Sequence, residues 1–250
     1  MRIRKLVRFL MMYSAAVTVV LVLTVYFGLV RTVRSANTVA EYDRIRVHRI
    51  DVVEPDGTPR LVISDRAEFP GEYFYKREVA RASRNDSAGM LFINDEGTED
   101  GGLIYGGATK DGKPESFSHL SFDQYNQDQT LVLGTSLSNG EKTAGISLND
   151  MPDEAITPAM AEEAERIKKM PHGAARAAAW AAFLKSYPAG AERAALRRSA
   201  DGTVGLSLKD KQGRNRLELS VDASGNPSIE LLDEQGKVRR KILIGEGTEN

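Results

Sequence analysis

Cysteine is absent from this 250-residue chain, so it has no disulfide framework, no thiol nucleophile and no thiolate metal site. Histidine is scarce: His48, His119 and His172 fall on separate segments, without the helix-face or strand-face spacing that zinc or iron requires. No serine lies in a nucleophile-elbow sequence, and no glycine-rich loop leads from a strand pattern into a helix as phosphate binding demands. Acidic residues are missing from residues 1–34, which hold six basic ones. The rest of the chain therefore carries 28 basic against 35 acidic side chains, a net charge of −7. Such a surface is a poor match for nucleic acid or for anionic headgroups.

What is present begins with residues 9–30, an uncharged apolar run between Arg8 and Arg31. Its roughly 22 residues span about 33 Å as a helix, enough for a bilayer core of about 30 Å. Tyr13 and Tyr26 stand towards its ends, where aromatic belts form. A cleaved signal peptide has a shorter apolar region, so the run reads as a retained single-pass anchor. Arg2, Arg4, Lys5 and Arg8 crowd a short tail that resists translocation, which places residues 1–8 in the cytoplasm and the C-terminal domain outside it. Residues 31–44 read as a polar stalk.

Beyond the stalk, apolar residues alternate with polar ones and the runs are broken by glycine turns, the pattern of half-buried strands. Residues 45–152 form one β block. In residues 200–247 the turn glycines Gly202, Gly213, Gly225 and Gly236 pace an antiparallel meander. Arg60, Arg216 and Arg239 each follow a turn glycine by three, at a strand start facing solvent. Gly101-Gly102 and Gly106-Gly107 bracket what reads as a very short strand. Between the blocks, residues 153–199 are alanine-rich and charged. They read as a helical insertion opened by Thr157-Pro158, with Pro171 and Pro188 dividing it and Trp180 packing it. The fold class expected is mainly β, an antiparallel meander, sandwich or open barrel with a helical insertion and one N-terminal membrane helix.

Two polar segments stand out. In the first, Asp95, Glu96, Glu99 and Asp100 surround Gly97 in an acidic turn, a candidate calcium site built from oxygen ligands, though out of the order of helix-flanked calcium loops. Acidic hairpin turns are also common at solvent-facing surfaces. The second holds Asp123, Gln124, Tyr125, Gln127, Asp128 and Gln129, richer in amides than a turn needs. These residues suit either a buried hydrogen-bond network or a sugar or peptide site with Tyr125 as a platform. A glycosidase-like pairing of Asp123 or Asp128 with Glu96 or Glu99 would need the carboxyls about 5–10 Å apart.

Asn-Asp-Glu-Gly-x-Glu-x-Gly-Gly-Leu-Ile-Tyr-Gly-Gly (94–107) and Leu-Ser-Phe-Asp-Gln-Tyr-x-Gln-Asp-Gln (120–129), with the later Ala-Gly-Ile-Ser-Leu-Asn-Asp-Met-Pro-Asp (144–153), resemble an uncharacterised group of bacterial membrane-anchored envelope proteins. The resemblance covers residues 45–155 and implies a bacterial, surface-facing β domain; it transfers no activity, cofactor or site residue. The expectation is an envelope interaction or scaffold module without catalysis or cofactor. It would sit in the inner membrane and meet a protein partner or further copies of itself through exposed sheet edges. The alternatives are a ligand- or calcium-binding domain and a carboxylate hydrolase.

Overall fold

The computed structural model describes residues 2–35 and 39–243. The chain divides into two compact units, Met1–Arg46 and Val47–Asn250. The first is dominated by helix α1 (Arg2–Ser35), within which Val7–Phe27 is long and apolar enough to cross a membrane. Two of its hydroxyls are satisfied inside the helix: Thr18 Oγ1 donates to Ser14 O at 2.9 Å and Thr24 Oγ1 to Val20 O at 2.8 Å. The helix runs five residues into the segment expected as stalk, because nothing from Arg31 to Ser35 breaks it. Residues 36–38 of that stalk lie outside the described residues.

The second unit is built on a twelve-stranded sheet whose members follow one another in chain order, every neighbouring pair antiparallel. The strands are β1 (Arg49–Val53), β2 (Pro59–Ser64), β5 (Ala88–Ile93), β6 (Glu99–Lys110), β7 (Lys113–Asp123), β8 (Gln129–Ser138) and β9 (Glu141–Asp150). After the helices come β10 (Ala191–Arg198), β11 (Val204–Lys209), β12 (Asn215–Val221), β13 (Pro227–Leu232) and β14 (Val238–Leu243). A separate hairpin, β3 (Glu72–Phe74) and β4 (Arg77–Val79), lies between β2 and β5 in the chain. The expected meander is present, and the two β blocks form one sheet. Residues 244–247 of the expected meander lie outside the described residues.

The turns explain the spacing. Gly202, Gly213, Gly225 and Gly236 each donate to the residue three before, which in turn donates to the residue after the glycine, the three-residue hairpin with a bulge. Asp210, Asp222 and Asp233 open three of them and accept from two backbone N–H groups each. The recurring arginines latch these turns: Arg60 reaches Glu54 at 3.3 Å, Arg216 reaches Asp210 at 3.7 Å and Arg239 reaches Asp233 at 2.7 Å.

Two elements differ from expectation. The strand read as very short is twelve residues long, with its glycine pairs lying inside β6. The stretch 153–199 is helical only at α2 (Pro158–Lys168) and α3 (Ala174–Ser186); Ala191–Arg198 is strand β10. Its alanines and arginines favour a helix locally. Its place between β9 and β11 supplies two ladders of backbone hydrogen bonds and buries Ala195, and that tertiary gain decides. The helix start holds as expected: Thr157 Oγ1 accepts from Met160 N at 3.3 Å, with Pro158 in the first turn.

One face of the sheet is covered at its β1–β7 end. Val62, Leu91 and Ile93 point there and meet Tyr73 of the β3–β4 hairpin, with Phe69 and Ile104 alongside. Helix α2 lies beyond, touching β4, pairing Glu162 with Arg77 and accepting the Ala82 N–H on Glu165. Trp180 stacks edge-on with Phe183 at 5.4 Å and is half-buried. From β9 onward the same face turns polar, with Ser147, Asn149, Ser207, Glu218, Ser220 and Glu230.

Candidate functional site

Under the hairpin, the covered face encloses a charged cluster. Arg84, 5% exposed, forks onto both oxygens of Glu99, with Nη1 to Oε2 at 2.9 Å, and also donates to the Gly71 carbonyl. Arg81 stands 3.3 Å from Glu72. Burial raises the pKa of Glu72 and lowers that of His119. Burial first, then the nearby charges of Glu99 and Asp128, pushes Asp123 up to about 8. Asp123 thus holds its proton at neutral pH, and its Oδ1, like His119 Nε2, is buried with no hydrogen-bond partner among the described residues.

The amide-rich segment is a set of staples. Gln124 Nε2 donates to Pro152 O at 2.9 Å and Gln127 Nε2 to Glu154 O at 2.6 Å, while Ile156 N donates to Asn126 O at 2.9 Å. Amides are needed because the incoming chain at 152–156 presents unpaired backbone carbonyls. Gln129 accepts from Asn149 through its own carbonyl, and Asp128 caps the Gln129 N–H. Tyr125 is 64% exposed, and its hydroxyl, with the Asn126 amide, lowers the pKa of Glu96.

The acidic turn is likewise occupied. Its Thr98 Oγ1 accepts the Tyr75 N–H at 3.0 Å and its Gly97 carbonyl accepts Lys76 N at 2.9 Å, so the β3–β4 turn sits on it. A Cβ on Gly97 would stand 2.7 Å from the Lys76 nitrogen, and only glycine permits that approach. Glu99 is held by Arg84, Asp95 by Arg60 at 2.5 Å, and Glu96 by Asn126 at 3.1 Å. Asp100 is half-buried, its pKa raised by that burial. Among the described residues no three metal-ligating side chains converge, so the structure does not gather Asp95, Glu96, Glu99 and Asp100 into a calcium site.

A cleft of about 750 Å³ opens where the helices meet the sheet, lined by Met151, Ile156, Met160, Phe183, Asp128 and Gln127 among others. Asp128 is the one member of the expected carboxylate set that lines it; Asp123, Glu96 and Glu99 do not. The opposed carboxylates of a glycosidase are therefore not brought together across this cleft.

The largest unsatisfied feature is the other face of the sheet. The register aligns Ile50, Leu61, Phe92, Leu103, Leu120, Leu133, Ile146, Leu196, Leu206, Leu219, Ile229 and Ile242 on one side, strand after strand. No described element of this unit is laid over it. Leu148 is 51% exposed, Leu196 49% and Ile242 43%, in a protein whose covered core holds Val62 and Leu91 at 0%. Comparison with protein-family models and with curated proteins returns no match. The alternation showed in the sequence that each strand has an apolar side. It could not show that all twelve sides coincide, half-buried from Leu61 to Leu133 and exposed from Ile146 to Ile242. The Arg84–Glu99 pair had no sequence signal, since its members stand fifteen residues apart in the chain.

Proposed function

We propose that this protein is a membrane-anchored, non-catalytic interaction module of the bacterial envelope. The N-terminus is cytoplasmic and the sheet domain extracytoplasmic, in keeping with the basic tail and with the envelope proteins that residues 94–129 resemble. One observation carries the reading: the apolar face running across all the strands of the sheet, far larger than the few hundred Å² that soluble monomers expose. Gln124 and Gln127 hold the chain that leads into the helices, and Glu96 and Glu99 are held by Asn126 and Arg84. Native gel electrophoresis of detergent-extracted membranes tests it. The intact chain migrates as an assembly; L206E/L219E reduces it to a monomer, whereas S207E/S220E, on the opposite face, does not. A monomeric wild-type chain refutes the reading.

The cleft beneath the helices favours a second role, capture of a small apolar ligand with a polar end near Gln127 and Asp128. Trp180, the single tryptophan, packs on cleft-lining Phe183 and reports occupancy by fluorescence. Medium-chain fatty acids and aromatic amides serve as probes, and an unchanged emission spectrum with both counts against this role.

A further inference from the structure

We infer that the occupant of the apolar face is a second copy of this chain, packed face to face to make a two-sheet sandwich. The inference rests on the interaction reading above and names its partner. Adjacent strands lie about 4.8 Å apart and rise about 3.3 Å per residue, so a face of this width and about five residues tall covers about 900 Å². Two such faces remove about 1,800 Å², the size of a standard stable interface.

The chemistry of the face points the same way. Between β7 and β13 its central positions are Leu120, Leu133, Ile146, Leu196, Leu206, Leu219 and Ile229, without a charged group. An occupant needs no complementary charge, only an apolar, similarly twisted surface of equal length. The protein's own sheet is such a surface, and aligned packing of twisted sheets about 10 Å apart is a general solution. A two-fold axis brings the same patch of each copy together.

The alternative, edge-to-edge pairing, is disfavoured by charge on both edge strands. The last strand presents Arg239, Arg240 and Lys241 in succession, and the first carries Arg49 and Asp51. Association is thereby steered from the edges to the face. A single apolar helix in each copy would hold both in one membrane and raise their effective concentration.

The test uses full-length chains bearing two different epitope tags, co-expressed in native membranes. p-Benzoylphenylalanine replaces Leu206 or Leu219, and in controls Ser207 or Ser220. Irradiation is expected to yield a covalent dimer carrying both tags from positions 206 and 219, at least about tenfold above the controls. L219E abolishes tag co-purification and L219M preserves it, which separates loss of contact from loss of folding. Adducts from 206 and 219 with other proteins only would overturn the second copy while leaving the interaction reading intact. Lipid adducts only, or adducts no more frequent than in the controls, would overturn both.

Discussion

Replacing Asp123 by asparagine stabilises the domain near neutral pH. Asp123 lies on the covered side of β7, its Oδ1 buried without a partner, and burial with Glu99 and Asp128 nearby pushes its pKa to about 8. In the unfolded chain the same carboxyl titrates near 3.9. Between those values the folded protein holds one proton more than the unfolded chain. Stability therefore falls as pH rises from about 4 to about 8, by up to about 1.4 kcal/mol per pH unit. At pH 7 the accumulated cost is about 4 kcal/mol. Asparagine is neutral in both states and close in shape, so D123N removes this cost. The gain over wild type should be only about 0.5 kcal/mol at pH 4, where the unfolded carboxyl is about half protonated, and about 4–5 kcal/mol at pH 7.5. For a domain of this size that is a rise in Tm of about 10–20 °C. Thermal melts of the full chain in detergent, followed by circular dichroism at pH 4.5, 6 and 7.5, measure the difference; groups unchanged by the substitution cancel. A gain that does not grow with pH, or a loss of stability at pH 7.5, refutes the reasoning.

Two further outcomes follow from the same region. E99Q leaves Arg84 buried with its counter-charge removed and should cost about 3–5 kcal/mol; combining it with R84M recovers part of that loss, measured by urea unfolding as a double-mutant cycle. G89A should cost about 3 kcal/mol or more, since its Cβ would stand 1.9 Å from the Leu103 carbonyl oxygen at a φ of +150°. A G89A protein with wild-type melting would show that β5 and β6 do not approach as described.

Much of the architecture was legible because it is local. Glycine turns, alternation and the Thr157-Pro158 start each act within a few residues, and the meander joins strands that are neighbours in the chain. What escaped depends on distant partners. Ala191–Arg198 is a strand only because β9 and β11 flank it. The Gly101, Gly102, Gly106 and Gly107 positions looked like interruptions, whereas β6 runs through them. The polar segment around Asp123 signalled a network correctly. Its purpose was hidden, because the carbonyls that Gln124 and Gln127 satisfy lie some 27 or 28 residues downstream. The acidic turn hid its role in the same way, since it receives the Tyr75-Lys76 turn across more than twenty residues.

The central claim is that the apolar face is covered in the native membrane while the opposite face is wet. The absence of cysteine makes this directly measurable with single-cysteine variants. L206C and L219C sit on the apolar face, and S207C and S220C sit one residue along on the other. With a membrane-impermeant maleimide on intact membranes oriented with the domain outward, the account predicts fast labelling at 207 and 220 and strong protection at 206 and 219. That protection should vanish on denaturation. Equal labelling at all four positions before denaturation would contradict it.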